Sequence, residues 1–160
     1  MKIKVIQNKY KVTTSNGKIY YYDYVDLNPC YSKIRLVRTR KKFGYIKENG
    51  EPLCELIYDI ASDFIEKRAQ VGIKGNEFHI TEEGVPAYTE RYEYATPFHE
   101  GFSIVSKNIK AQKFMYIDQD GKYLLNTEFD KAEHFCYGHA NVEIDNRKGI
   151  LDTKGKITWI

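Results

Sequence analysis

The sequence predicts an all-β fold, an array of about three and a half β-hairpin repeats of 33 to 37 residues, stacked as a short solenoid or partly closed barrel. Three observations predict it. Glycines recur along the chain, apolar residues keep fixed distances from them, and tyrosine, which suits half-buried pleated surfaces, occurs 14 times in 160 residues. A hydrophobic content of 42% is enough for a core, and 29% charged residues are too few for a disordered chain.

The repeats are marked by glycines separated by 33, 34, 37 and 34 residues. After the second, third and fourth glycine, four columns agree in all three copies: an aromatic residue after eight residues, alanine after eleven, phenylalanine after fourteen and valine after twenty-one. The glycines are Gly17, Gly50, Gly84, Gly121 and Gly155, and the columns are Tyr58, Tyr92 and Phe129; Ala61, Ala95 and Ala132; Phe64, Phe98 and Phe135; and Val71, Val105 and Val142.

Each repeat is predicted to open as a hairpin that turns at the glycine. Asn16-Gly17, Asn49-Gly50 and Asp120-Gly121 are dipeptides that suit a type I′ turn. Gly84 and Gly155 follow a glutamate and a lysine, so another turn type is expected there.

The rest of the repeat is predicted to be a connecting stretch followed by a closing strand. The three-residue spacing from Tyr58 to Phe64 fits either a helical turn or a folded loop, and Pro97 in the next copy favours the loop. A short strand, such as Phe102 to Ser106 or Ala140 to Ile144, then closes the repeat.

The length of 160 residues fits one domain. We expect a degenerate basic first unit, three full repeats and a terminal half repeat. Their boundaries are 1–40, then 41–75, 76–111 and 112–147, then 148–160.

Two stretches of the chain resemble the WG β-repeat, also called the KWG repeat, which is found in many bacterial proteins. The first contains Phe43-Gly44-Tyr45-Ile46 and Tyr58-Asp59, and the second contains Phe114 to Asp118 and Phe129-Asp130. The resemblance covers roughly residues 40 to 160. It implies an interaction or scaffold module without a catalytic site of its own. The tryptophan that names the family is replaced, and its positions hold Phe43, Glu77, Phe114 and Lys148.

The charge of the chain is strongly asymmetric. Residues 1–47 hold twelve basic and two acidic residues, a net +10, whereas the remainder holds 13 basic and 20 acidic residues, a net −7. The densest basic segment runs from Arg35 to Lys42, and Tyr20, Tyr22 and Tyr24 are predicted to share one strand face near it. The predicted partner-binding residues are Arg35, Arg38, Arg40, Lys41, Lys42, Tyr20 and Tyr22.

Three interpretations of this basic unit stay open. Basic residues protect an exposed edge strand from aggregation, they bind an acidic patch on a protein partner, or they hold phosphates while aromatic rings stack on bases. No RRM, KH, zinc-finger or helix-turn-helix signature is present, which disfavours nucleic acid.

The sequence contains no clear catalytic or cofactor motif. His134, Cys136 and His139 have ligand-like spacing that suits zinc, but no fourth ligand is apparent and no other repeat copies the set. His79 and His99 occupy repeat positions that hold other residue types elsewhere, so a packing role is expected. We therefore predict no enzyme activity, no metal and no cofactor.

These observations favour a cytoplasmic, non-catalytic repeat protein that binds a macromolecule. Three cysteines far apart in sequence fit reduced thiols, and no apolar run reaches the length of a membrane span or a signal peptide. We expect an inhibitor or immunity-type antagonist acting through protein–protein contact. The alternative is direct nucleic-acid binding through the basic N-terminal unit. The sequence does not predict an oligomeric state.

Overall fold

The computed structural model describes residues 1–160, and almost all of its regular structure is β. One three-residue 3₁₀ helix, Ile109–Ala111, is the exception, and it is far too short to cross a membrane. The strands are β1 (Lys2–Ile6), β2 (Lys9–Thr13), β3 (Ile19–Tyr22), β4 (Tyr24–Val25), β5 (Arg35–Thr39), β6 (Lys42–Ile46), β7 (Ile60–Ala61), β8 (Arg68–Ile73), β9 (Asn76–Thr81), β10 (Tyr94–Ala95), β11 (Phe102–Ser106), β12 (Met115–Asp118), β13 (Lys131–Ala132), β14 (His139–Ile144), β15 (Arg147–Asp152) and β16 (Ile157–Trp159).

The strands form five small antiparallel sheets, each built from strands that are consecutive in sequence. Their orders are β1-β2-β3, β4-β5-β6, β7-β8-β9, β10-β11-β12 and β13-β14-β15-β16. No sheet closes on itself into a barrel. The predicted all-β repeat array is therefore confirmed.

The chain divides into two compact units, and one of the boundaries between them falls within β9. The first comprises 1–74 and 80–85, and the second comprises 75–79 and 86–160. Each unit has an apolar core made of buried residues of its strands and, in the second unit, of the loops that connect them. The core of the first unit contains Val12, Tyr22, Val25, Val37 and Ile46, and that of the second contains Ile104, Tyr116, Phe129, Phe135, Ala140, Val142 and Leu151.

The sheets are offset from the repeats that the sequence predicts. Strands β8 and β9 belong to one sheet, although they fall in the predicted repeats 41–75 and 76–111. The predicted closing strand thus pairs with the opening strand of the following repeat. The stretch from Tyr58 to Phe64 contains the two-residue strand β7 and no helical turn, which confirms the loop alternative.

All five repeat glycines occupy the same position in turns of one type. Each glycine N–H donates to the carbonyl three residues earlier at 2.9–3.1 Å, and each glycine has a φ between +80° and +88°. The residue before each glycine is not left-handed, so these are three-residue loops that end in a left-handed glycine. The prediction of type I′ turns at Gly17, Gly50 and Gly121 is therefore wrong. The expectation of another turn type at Gly84 and Gly155 is wrong as well, because all five turns are alike.

Turns with two left-handed residues occur elsewhere, between the connecting loop and the long strand of each repeat. They lie at Glu66-Lys67, Glu100-Gly101 and Tyr137-Gly138. Three further ones, at Gln7-Asn8, Lys74-Gly75 and Asp145-Asn146, join β1 to β2, β8 to β9 and β14 to β15. Glutamate and lysine rarely adopt this conformation, so the first of them has no recognisable sequence signature.

One position in three successive repeats holds a buried ring that hydrogen-bonds a backbone carbonyl of the next sheet, 17 residues further on. The pairs are Tyr45 Oη to Ser62 O (2.7 Å), His79 Nε2 to Thr96 O (2.8 Å) and Tyr116 Oη to Glu133 O (2.7 Å). Each ring also packs on a phenylalanine, with centroids 5.1 Å apart for Tyr45 and Phe64, 4.5 Å for His79 and Phe98, and 5.3 Å for Tyr116 and Phe135. We refer to these three rings as the anchor rings.

His79 confirms the expectation of a packing role, and a compensating residue lies beside it. A carbonyl cannot donate, so Nε2 carries the proton and Nδ1 accepts from the Tyr88 hydroxyl at 2.6 Å. The residues equivalent to Tyr88, nine positions after the anchor ring, are Cys54 and Leu125. The smaller anchor ring is thus matched by a larger neighbour, which also covers Gly121.

We predict that His79→Tyr and Tyr88→Leu compensate each other. His79→Tyr alone overpacks the site, and Tyr88→Leu alone opens a cavity and leaves Nδ1 without its donor, so each lowers the free energy of unfolding by about 2 kcal/mol. The double variant recreates the Tyr116/Leu125 pair and is expected to lose clearly less than the sum. Urea unfolding of the four proteins measures the coupling, and additive losses would contradict it.

Candidate functional site

The basic segment predicted from the sequence forms the hairpin of β5 and β6. Arg38, Arg40 and Lys41 are exposed at or near its turn, and we call these three residues the basic rim. The Arg38 guanidinium carbon lies 5.9 Å from the centroid of the Phe43 ring. These side chains present positive charge to solvent.

Two other predicted site residues have structural roles. Arg35 Nη1 donates to the backbone carbonyls of Asp26 at 2.9 Å and Leu27 at 2.6 Å, and Arg35 is only partly exposed. Lys42 Nζ pairs with Asp59 Oδ1 at 2.5 Å. This ammonium, together with the backbone N–H of Lys74, holds the pKa of the Asp59 carboxyl below its usual value.

The predicted row of tyrosines is not formed. Tyr22 is only 3% exposed and belongs to the core, where burial raises the pKa of its hydroxyl to about 12. Tyr20 is half-buried, and its ring centroid lies 6.5 Å from that of Tyr22. Tyr24 lies in the next sheet, on β4.

An apolar groove is lined in part by Thr39 of the β5–β6 hairpin. Its volume is about 580 Å³, and Thr39, the residue between Arg38 and Arg40, contributes to its wall. The other lining residues are Tyr20, Tyr21, Tyr22, Pro52, Leu53, Cys54, Glu55 and Leu56. Two predicted site residues, Tyr20 and Tyr22, therefore line a groove together with Thr39, which lies between two exposed arginines in sequence.

Asp23 connects the basic rim to the hairpin of β1 and β2. Its carboxylate accepts from the Arg40 N–H and lies 3.6 Å from Lys9 Nζ. These contacts lower the pKa of the Asp23 carboxyl, the Arg40 N–H being the main cause. Basic residues far apart in sequence are thereby brought close together.

Sequence reasoning missed a second basic surface, the solvent side of the first sheet. Lys4 lies opposite Lys11, and Lys11 lies opposite Tyr21, so these three side chains share one face. The alternation of Lys2, Lys4, Lys9 and Lys11 around a turn is the pattern that indicates this face. The pattern alone does not show that these lysines share a face with Tyr21, because this depends on how β1, β2 and β3 pair.

His134, Cys136 and His139 are not arranged as a metal site. The His134 ring lies against His99, with centroids 4.1 Å apart, while Cys136 and His139 are exposed on either side of the Tyr137-Gly138 turn. No group of three His, Cys, Asp or Glu side chains is placed to hold a metal ion.

The WG containing repeat family matches the chain over residues 43–76, 91–110 and 114–147. No curated protein matches the sequence.

Similar solved structures include KlHsv2 with loop 6CD replaced by a Gly-Ser linker, with 6% identity, 97% of this chain and 60% of that chain covered, and a TM-score of 0.54. They also include a streptogramin B lyase, with 13% identity, 96% of this chain and 61% of that chain covered, and a TM-score of 0.43. A third is a Bacteroides caccae protein of unknown function, with 14% identity, 96% of this chain and 69% of that chain covered, and a TM-score of 0.38. The chain thus spans about three fifths of the length of the first two.

We predict that the His99–His134 pair makes the protein less stable as the pH falls. Burial, with a further contribution from His99, lowers the pKa of the His134 imidazole below its ordinary value. Below neutral pH the unfolded chain therefore binds more protons than the folded protein, and the free energy of unfolding decreases. His134→Gln should reduce the drop in melting temperature between about pH 7.5 and pH 5.

The matched control is His139→Gln, which changes an exposed imidazole outside the pair in the same way. If both variants keep the pH dependence of the unaltered protein, the pair does not sense pH.

Proposed function

Because this chain belongs to the WG containing repeat family, we propose that it is a non-catalytic binding protein that contacts an acidic protein partner through the basic rim and the adjacent groove. We further propose that it acts in the bacterial cytoplasm as an inhibitor or immunity-type antagonist, covering a surface that its partner needs.

The observation that carries this proposal is that Thr39, which lies between the exposed Arg38 and Arg40 in sequence, lines the apolar groove. Protein interfaces are enriched in arginine and tyrosine, and their most important side chains insert into apolar pockets. Tyr20 and Tyr21 line the groove together with Thr39. A partner segment with one apolar side chain for the groove and acidic neighbours for the rim complements this surface.

Three aspartates that contact hairpin turns support a binding role rather than catalysis, because their carboxylates form hydrogen bonds and ion pairs within the fold. Asp23, Asp59 and Asp130 each accept a backbone N–H of a hairpin turn and each lie within 4 Å of a lysine ammonium. These contacts lower the pKa of all three carboxyls, which keeps them ionised. An ionised, paired carboxylate is poorly suited to act as a general acid.

We predict that a bacterial protein co-purifies with the chain at near-equal stoichiometry from nuclease-treated lysate of the source cells. Reversing the rim (Arg38→Glu, Arg40→Glu, Lys41→Glu) should weaken its binding at least tenfold, since complementary charge guides association and opposes wrong partners. Thr39→Trp, which fills the groove without removing a core side chain, should have a comparable effect. Affinities are measured by titration against the purified partner.

The matched control reverses three exposed lysines of the second unit, Lys110, Lys122 and Lys154. Equal losses from rim and control reversals would show that total charge decides binding and would reject the proposed surface. Capture of nucleic acid alone, lost on nuclease treatment, would reject a protein partner.

A further inference from the structure

We propose that the solvent side of the first sheet is a binding surface for single-stranded nucleic acid. We call it the lysine face and define it by Lys2, Lys4, Lys9, Lys11 and Tyr21. It goes beyond the protein contact proposed above and uses none of the residues of the basic rim; Tyr21, which also lines the groove, is the one residue that the two surfaces share.

The register of the first sheet places all five residues on one side. Lys4, Lys11 and Tyr21 are directly opposite one another on β1, β2 and β3. Lys2 and Lys9 lie two positions from Lys4 and Lys11 on the same strands, so their side chains point the same way.

The opposite side of this sheet packs on the core, so the lysine face points to solvent. Val12 and Tyr22 are buried there, and Ile3 and Tyr20 pack against them. On the lysine face Tyr21 is 53% exposed. An exposed tyrosine ring thus lies on β3, at one end of the cross-strand row that it forms with Lys4 and Lys11.

Most of the positive charge of the lysine face is not neutralised within the protein. Lys2, Lys4 and Lys11 form no ion pair, and Lys9 lies 3.6 Å from Asp23. Lys4 and Lys11 are directly opposite each other, an arrangement that destabilises an antiparallel pair. In the last sheet, by contrast, Lys131 lies opposite Glu143 and pairs with it at 2.9 Å. An anion bound over Lys4 and Lys11 would relieve this repulsion.

Protection of an edge strand does not explain the pattern. β1 is an edge of the sheet, and lysines on it discourage pairing with another chain. Lys9 and Lys11, however, lie on β2, which has a strand on each side. Cations on a central strand have no edge to protect.

The chemistry of the face fits single-stranded nucleic acid better than an acidic protein. Lysine is depleted in protein interfaces, whereas sites for single strands combine rows of cations with an exposed aromatic ring that stacks on a base. Cations at alternate strand positions are about 6.6 Å apart, so they follow an extended backbone of phosphates. In a duplex the base faces are covered, and Tyr21 would have nothing to stack on.

The test is fluorescence anisotropy with fluorescein-labelled oligo(dT) of about 15 nucleotides, titrated with the purified full chain at about 50 mM and 200 mM NaCl. We expect binding that weakens with salt, with a log–log slope of about −2 to −3 for three to four phosphate contacts. Lys4→Glu/Lys11→Glu should weaken binding more than tenfold and flatten the slope. Tyr21→Ala should weaken it at least fivefold with little change in slope, because it removes stacking and no charge.

The control variant, Lys110→Glu/Lys154→Glu, has the same change in net charge on exposed residues of the second unit and should stay within about threefold of the unaltered chain. Lys4→Gln/Lys11→Gln, with a melting temperature no lower than that of the unaltered chain, checks that weaker binding does not reflect unfolding. The proposal is overturned by no binding at the lower salt, by equal losses in test and control variants, or by equally strong competition from duplex DNA or polyglutamate. Because the protein partner is captured after nuclease treatment, failure here is separate from failure of the proposed protein contact.

Discussion

The anchor ring is the interaction on which this repeat structure depends. Each sheet has only three or four short strands and cannot bury an apolar face by itself. Tyr45 and Tyr116 resolve this by packing on a phenylalanine of the next sheet while their hydroxyls donate to a carbonyl just beyond its first strand. The ring therefore contributes apolar burial and satisfies a backbone acceptor in one contact. His79 preserves both functions with a smaller ring because Tyr88 occupies the remaining space.

The repeat and the strand content could be predicted from the sequence because both depend on local patterns of glycine and apolar residues. The turn types, and the offset between the sheets and the predicted repeats, could not be predicted in this way. The carbonyl acceptor of Tyr45 lies 17 residues away, and nothing between them indicates which strands pair. Glu66 and Lys67 adopt left-handed conformations that their side chains disfavour, because the bridge between Ile65 and Arg68 imposes them.

Of the candidate site, only the excess of positive charge in residues 1–47 could be located from the sequence. A residue count locates the excess of positive charge, but it does not show which cations are free to bind a partner. Arg35 and Lys42 are engaged by Leu27 and Asp59, which only the fold brings to them. The lysine face, in turn, depends on the register of three strands. The rim with its groove and the lysine face differ in residue type, and this difference underlies the distinct partners proposed for them.

The most direct test of this account is the free energy of unfolding of Tyr116→Phe. The substitution removes one hydroxyl, keeps the ring and leaves the Glu133 carbonyl without its side-chain donor. We predict a loss of about 1 kcal/mol, since removing one partner of this partly buried hydrogen bond leaves the other without its donor. Tyr137→Phe, at a ring that is 91% exposed, is the control and should change nothing measurable. If Tyr116→Phe is as stable as the unaltered protein, the hydrogen bond of the anchor ring does not hold the repeats together.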